Sequence, residues 1–189
     1  MSSRRSFLKA GVALSALPLP AAASPALAAS CQIVSMNGAW DFRLDPDGSG
    51  WRTVNVPHTW QVEQENAGYR GVAWYRRAFF APEAWRDLAV RIEFEAVFHS
   101  AVVSLNGVEV GRHTGKGYTA FVLDLWPHLR FGAANTLTVR VDNAFSETML
   151  PRGRSSDWAH DGGVYRPVQL IVTPKVFVET VAIDAEPDL

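Results

Sequence analysis

The segment Asp157-Trp158-Ala159-His160-Asp161-Gly162-Gly163-Val164-Tyr165-Arg166-Pro167-Val168 carries the side chains best suited to chemistry. The Asp157 carboxylate can accept two hydrogen bonds from adjacent hydroxyls. The Trp158 indole adds a flat apolar face and one N–H. A pyranose ring offers the complement, a rim of hydroxyls around an apolar face, so the segment points to sugar recognition. Each residue also has a plainer reading: Asp157 as a turn-capping carboxylate, Trp158 as a packing residue. Asp161-Gly162-Gly163 reads as a turn whose glycines allow positive φ and close backbone approach. Arg166 is expected in a structural ion pair or backbone contact.

Other chemistries lack their residues. His58, in Val56-Pro57-His58-Thr59-Trp60, reads as a structural loop histidine. His99, His113, His128 and His160 show no metal-ligand spacing. Ser100 and Ser104 lack the G-x-S-x-G setting of a hydrolase nucleophile. Asp157 and Asp161 form no recognisable carboxylate pair, because a loop alone encloses no pocket to tune them. No phosphate loop, metal or cofactor motif occurs, and no catalytic residue is assigned within this chain. The net charge of −1 and the lack of a basic face argue against nucleic acid as a partner.

The N-terminus reads as an export signal over residues 1–28. Arg4-Arg5 precedes Phe7-Leu8-Lys9, an apolar stretch runs from Ala10 to Ala23, and Ala26-Leu27-Ala28 supplies small residues at A-x-A spacing. The arginine pair matches a twin-arginine signal, which predicts a periplasmic or secreted protein. The apolar stretch falls short of the roughly 20 residues that span a bilayer. Cys31 is the single cysteine, so no intramolecular disulfide forms. A free thiol in an N-terminal tail is expected there, with lipid anchoring as the alternative.

About 160 residues remain, enough for one domain with a substantial core. Leu88 to Phe94 and Thr136 to Val141 alternate apolar with polar residues, the signature of half-buried strands. Trp74 to Phe80, Ala101 to Leu105, Val108 to Val110, Phe121 to Leu125 and Val176 to Ile183 read as further strands. Val168 to Val172 is nearly all apolar and is expected to be buried on both faces. Asn106-Gly107 predicts a type I′ hairpin. The only helical signal is one turn at Pro82-Glu83-Ala84-Trp85. Short strands with Gly, Pro and Asn punctuation predict an all-β sandwich or barrel.

Seven segments in order carry a family resemblance. The first four are Met36 to Arg43, Val56-Pro57-His58-Thr59-Trp60, Ala73 to Phe79 and Val103 to Gly111. Gly115-Lys116-Gly117-Tyr118-Thr119-Ala120-Phe121, Asn135 to Asn143 and Asp157 to Val168 complete the series. Over about residues 36 to 173 the chain resembles the N-terminal sugar-binding domain of glycoside hydrolase family 2, the β-galactosidase, β-glucuronidase and β-mannosidase group. The resemblance implies a jelly-roll β-sandwich similar to galactose-binding domains, over residues 29–173. It implies partner domains too: an immunoglobulin-like domain, which residues 174–189 would begin, and a (β/α)8 barrel with two glutamates for a retaining mechanism. It places a sugar-contacting Asp on Asp157, counted back from Gly163-Val164-Tyr165-Arg166, and a second contact, an Asn, on Asn66. Trp158 is the third substrate-facing candidate. The reading that follows is a β-galactosidase-like enzyme's sugar-binding domain, a truncated piece inactive alone, with a β-glycoside as ligand. A stand-alone carbohydrate-binding module and a non-catalytic interaction domain are the alternatives.

Overall fold

The computed structural model describes residues 31–45, 50–147, 149 and 159–185. The proposed signal and the two candidates Asp157 and Trp158 lie outside the described residues. Among the described residues ten strands are present: β1 (Gln32–Ser35), β2 (Gly38–Leu44), β3 (Arg52–Val56), β4 (Val72–Ala81), β5 (Leu88–Phe94), β6 (Ser100–Leu105), β7 (Val108–His113), β8 (Phe121–Asp124), β9 (Ala133–Asp142) and β10 (Val168–Pro174). Helical structure among the described residues is limited to 3-10 turns, one of them at Glu83–Trp85 directly after Pro82.

The strands form a jelly-roll sandwich of two sheets. One has the order β1-β10-β5-β8 and the other β3-β2-β4-β9-β6-β7, with antiparallel neighbours throughout. Side chains alternate along each strand. Trp40 and Phe42 of β2, Tyr75 of β4 and Leu137, Val139 and Val141 of β9 point inward from the larger sheet. Val90, Ile92 and Phe94 of β5 and Leu170 and Val172 of β10 meet them from the smaller one. The sheets thus close around one aromatic-rich core.

One expectation is corrected, and one segment stands apart from the sandwich. β10 is not buried on both faces: Leu170 and Val172 are buried while Gln169 and Ile171 are partly exposed. Its apolar run reflects a central position between β1 and β5 rather than a covered outer face. Val176 to Ile183 pairs with no strand among the described residues, and Val176, Val178 and Ile183 are exposed. A β-strand needs a neighbour to satisfy its backbone groups.

Candidate functional site

The segment 159–167 crosses one end of the sandwich and is fastened there by hydrogen bonds. Phe98 and Gly163 exchange backbone bonds of 2.9 and 3.0 Å. The loop after β3 grips the same segment: His58 N–H donates to the Val164 carbonyl at 2.7 Å and Trp60 N–H to the Gly162 carbonyl at 3.2 Å. Gln61 Oε1 accepts from Gly162 N–H at 2.6 Å. Asn143 joins two loops, accepting from Gly71 N–H at 2.9 Å and donating to the His160 carbonyl at 3.1 Å. Both glycines are required. A Cβ on Gly162 would overlap the Trp60 ring, and Gly163, at φ 148°, lies against the His58 carbonyl.

This fastening leaves a half-open cleft of about 230 Å³ lined by Thr59, Phe98, Tyr118, Ala159, Asp161 and Tyr165. Its apolar surface is aromatic, and Tyr118 is 45% exposed. Among the described residues that line it, the one charged group is the Asp161 carboxylate. The Tyr165 hydroxyl donates to the Gly117 carbonyl at 2.7 Å, tying the 115–119 turn to the loop; burial pushes that phenol up, so it stays protonated. A carboxylate beside ring faces is the chemistry of pyranose recognition. The volume lies below the roughly 300–1,000 Å³ of a pocket enclosing a small ligand. The cleft can therefore serve as one wall of a sugar site.

Behind the loop lies a polar cluster under β2 and β4. The His58 ring is 2.8 Å (Nδ1) from the Tyr75 hydroxyl and 3.4 Å (Nε2) from Glu63 Oε1. Glu63 also takes hydrogen bonds from Arg52 and from Asn66 Nδ2, the latter at 2.5 Å. Burial lowers the His58 pKa, partly offset by Glu63. Burial alone would raise Glu63, but the bonds from Arg52, Asn66 and His58 outweigh it and hold the carboxyl below its ordinary range. The His58 ring packs on Phe42 and Tyr75, so its surroundings are those of a core histidine.

The model for the glycosyl hydrolases family 2 sugar binding domain matches residues 51–174. The chain belongs to this family. It is 30% identical to a β-glucuronidase of Bacteroides fragilis, over 82% of this chain and 23% of that protein. It is 33% identical to a β-galactosidase of Bacteroides ovatus, over 85% of this chain and 20% of that protein. Among solved structures, a β-glucuronidase from an uncultured Clostridium species superposes with a TM-score of 0.68 at 31% identity, covering 77% of this chain and 29% of that one. The chain thus spans less than a third of the length of each of these family 2 relatives.

Against the family's sugar-binding role, the sequence-derived candidates distribute unevenly. Asp157 and Trp158 directly precede the described loop, and Asp161, four residues on from Asp157, reaches the cleft. Asn66 sits in the Glu63 cluster and does not line the cleft. Arg166 is exposed. The sequence reading missed Thr59, Phe98, Tyr118 and Tyr165 as cleft residues, and Gln61 and Asn143 as loop anchors. Tyr118 stood within a family-like segment, but nothing in that segment signals which wall it lines.

Proposed function

We propose that this chain is the sugar-contacting domain of an exported, β-galactosidase-like family 2 enzyme that retains anomeric configuration. The observation that carries the reading is the cleft itself, a carboxylate and two tyrosine rings held by a loop that both sheets immobilise. In this reading the loop forms one wall around the terminal sugar. Asp157 and Asp161 accept its hydroxyls, while Trp158 and Tyr118 face its apolar side and Asn66 stands at the margin. The two carboxylic acids of a retaining glycosidase, separated by about 5–5.5 Å, come from the catalytic barrel in the rest of the enzyme. Export rests on Arg4-Arg5 and the small residues at Ala26 to Ala28.

The domain's contribution is binding and orientation. Hydrogen bonds that tighten as the sugar ring distorts lower the barrier, whereas equal binding in both states alters only KM. The test is steady-state hydrolysis of nitrophenyl β-galactoside and β-glucuronide by the intact enzyme carrying Asp157→Ala or Asp161→Ala. A fall in kcat/KM of about 10- to 100-fold is expected, the loss of one or two charge-assisted hydrogen bonds. Unchanged kinetics in both variants would refute the role. The 189-residue chain alone is expected to give no turnover on either substrate.

A further inference from the structure

The cleft is one of three adjoining depressions. Tyr118 lines both it and a second hollow of about 220 Å³ over the 115–119 turn. His99 and Gly115 line both that hollow and a third, of about 460 Å³, at the end of β6, β7 and β9. Shared lining residues thus set the three side by side along one groove-like face, with Asp161 at one end.

Charge changes sign along it. The middle hollow contains Lys116, which enters no ion pair among the described residues. The far hollow contains Arg112 and Arg140 together with the carboxylate of Asp142. In sheet register Arg140 of β9 faces Val102 of β6, and Val102 faces Arg112 of β7. Two strand spacings therefore separate the arginines, about 10 Å at the backbone, within reach of converging guanidinium groups.

Each arginine already holds a carboxylate at the surface. Arg112, its side chain 65% exposed, donates to both oxygens of Glu109 at 2.7–2.9 Å, and Arg140, 37% exposed, meets Asp142 Oδ2 at 3.3 Å. Pairs this exposed are screened by solvent and salt. Asp142 Oδ1 also accepts from Ala144 N–H at 2.9 Å, which fixes the carboxylate beside Arg140 without removing its charge. An arriving anion meets guanidinium donors that can turn toward it at little cost and form bidentate bonds.

We propose that the groove is an extended glycan site whose far hollow takes an anionic substituent, a carboxylate or sulfate, on a sugar beyond the one at Asp161. The inference rests on the sugar-contacting role proposed for the cleft. It makes the preferred ligand an acidic oligosaccharide, with Lys116 beneath the linking units and Arg112 and Arg140 as the anion clamp.

Calorimetric titration of the full chain tests it with three probes: a galacturonate tetrasaccharide, a sulfated galactan tetrasaccharide and neutral galactotetraose. At least one acidic probe should bind about tenfold or more tighter than the neutral one, the equivalent of one added charge-assisted hydrogen bond. That advantage should shrink in about 0.5 M salt, where screening is nearly complete. The Arg112→Gln/Arg140→Gln variant should lose the advantage while keeping its affinity for galactotetraose, and Lys116→Gln should lose part of it. The two acidic arms distinguish carboxylate from sulfate. Equal affinity for acidic and neutral probes, an unchanged preference in the double variant, or no binding of any probe overturns the groove. The role of the cleft stands or falls separately, on the kinetics of Asp157→Ala and Asp161→Ala in the intact enzyme.

Discussion

Gly162 sits where the Trp60 ring and the Asn143 amide meet; a Cβ there would lie 2.7 Å from Asn143 Nδ2 and inside the ring's contact distance. Alanine must displace the loop or the tryptophan. Gly162→Ala should cost about 1–3 kcal/mol, the range for overpacking a filled site, read as a lowered denaturation midpoint. Gly68→Ala, where nothing lies within 4 Å of an added Cβ, should be near neutral in the same assay. His58 makes a second case at this scale. Burial lowers its pKa from 6.5, so the folded state favours the neutral ring. Its stabilisation is fully present above pH 6.5 and is lost as pH falls toward the depressed folded value. His99 and His113 are shifted in the same direction, chiefly by burial. Thermal unfolding should therefore drop between pH 7 and pH 5.5, and His58→Phe should reduce that drop. An equal drop in the variant would remove His58 as a contributor.

The hairpin between β6 and β7 shows what an element inherits from its residues. Asn106 and Gly107 adopt φ of 54° and 86°, as a type I′ turn demands. Asn106 does more than turn: its Nδ2 donates to Asn135 Oδ1 at 2.8 Å and to the His128 carbonyl at 3.2 Å, and its Oδ1 accepts from Thr136 N–H at 3.0 Å. Asn106→Gly keeps the backbone conformation but removes all three bonds, whereas Asn106→Ala removes all three and adds a positive-φ penalty. Urea titration should rank wild type above Asn106→Gly above Asn106→Ala, the first step costing about 1–3 kcal/mol. The turn was legible because its geometry is local, and the Asn135 bond was not, because 29 residues separate the partners. β5 was likewise legible in its bounds: Val90, Ile92 and Phe94 are buried as the alternation requires, and only at its start, where Leu88 is partly exposed and Ala89 buried, do burial and periodicity part. β3 was not, since only Val54 and Val56 of its five residues face the core. The cleft failed to show in sequence for the same reason of distance. Thr59, Phe98, Tyr118 and Asp161 come from four separate connections, and only the sandwich topology brings them together.

Among the described residues, apolar side chains range from those that hold the sandwich to those fully outside it. Leu137 and Leu170 are buried between the sheets, whereas Val178 is 78% and Ile183 86% exposed beyond β10. The hydrophobic term scales with area removed from water, so similar side chains at the two places differ in what their removal costs. Leu137→Ala should destabilise the isolated chain by about 2–5 kcal/mol, a transfer term plus a cavity term. Val178→Ser and Ile183→Ser should stay within about 0.5 kcal/mol, as surface changes do. The same two serine variants placed in a full-length enzyme give the sharper measurement. In the proposed enzyme the 175–185 segment continues into a following domain, and a strand there would bury alternate residues. A midpoint unchanged in the isolated chain but lowered in the full-length enzyme would place those valine and isoleucine side chains in that interface. A midpoint unchanged in both would leave the sandwich as the only unit they border.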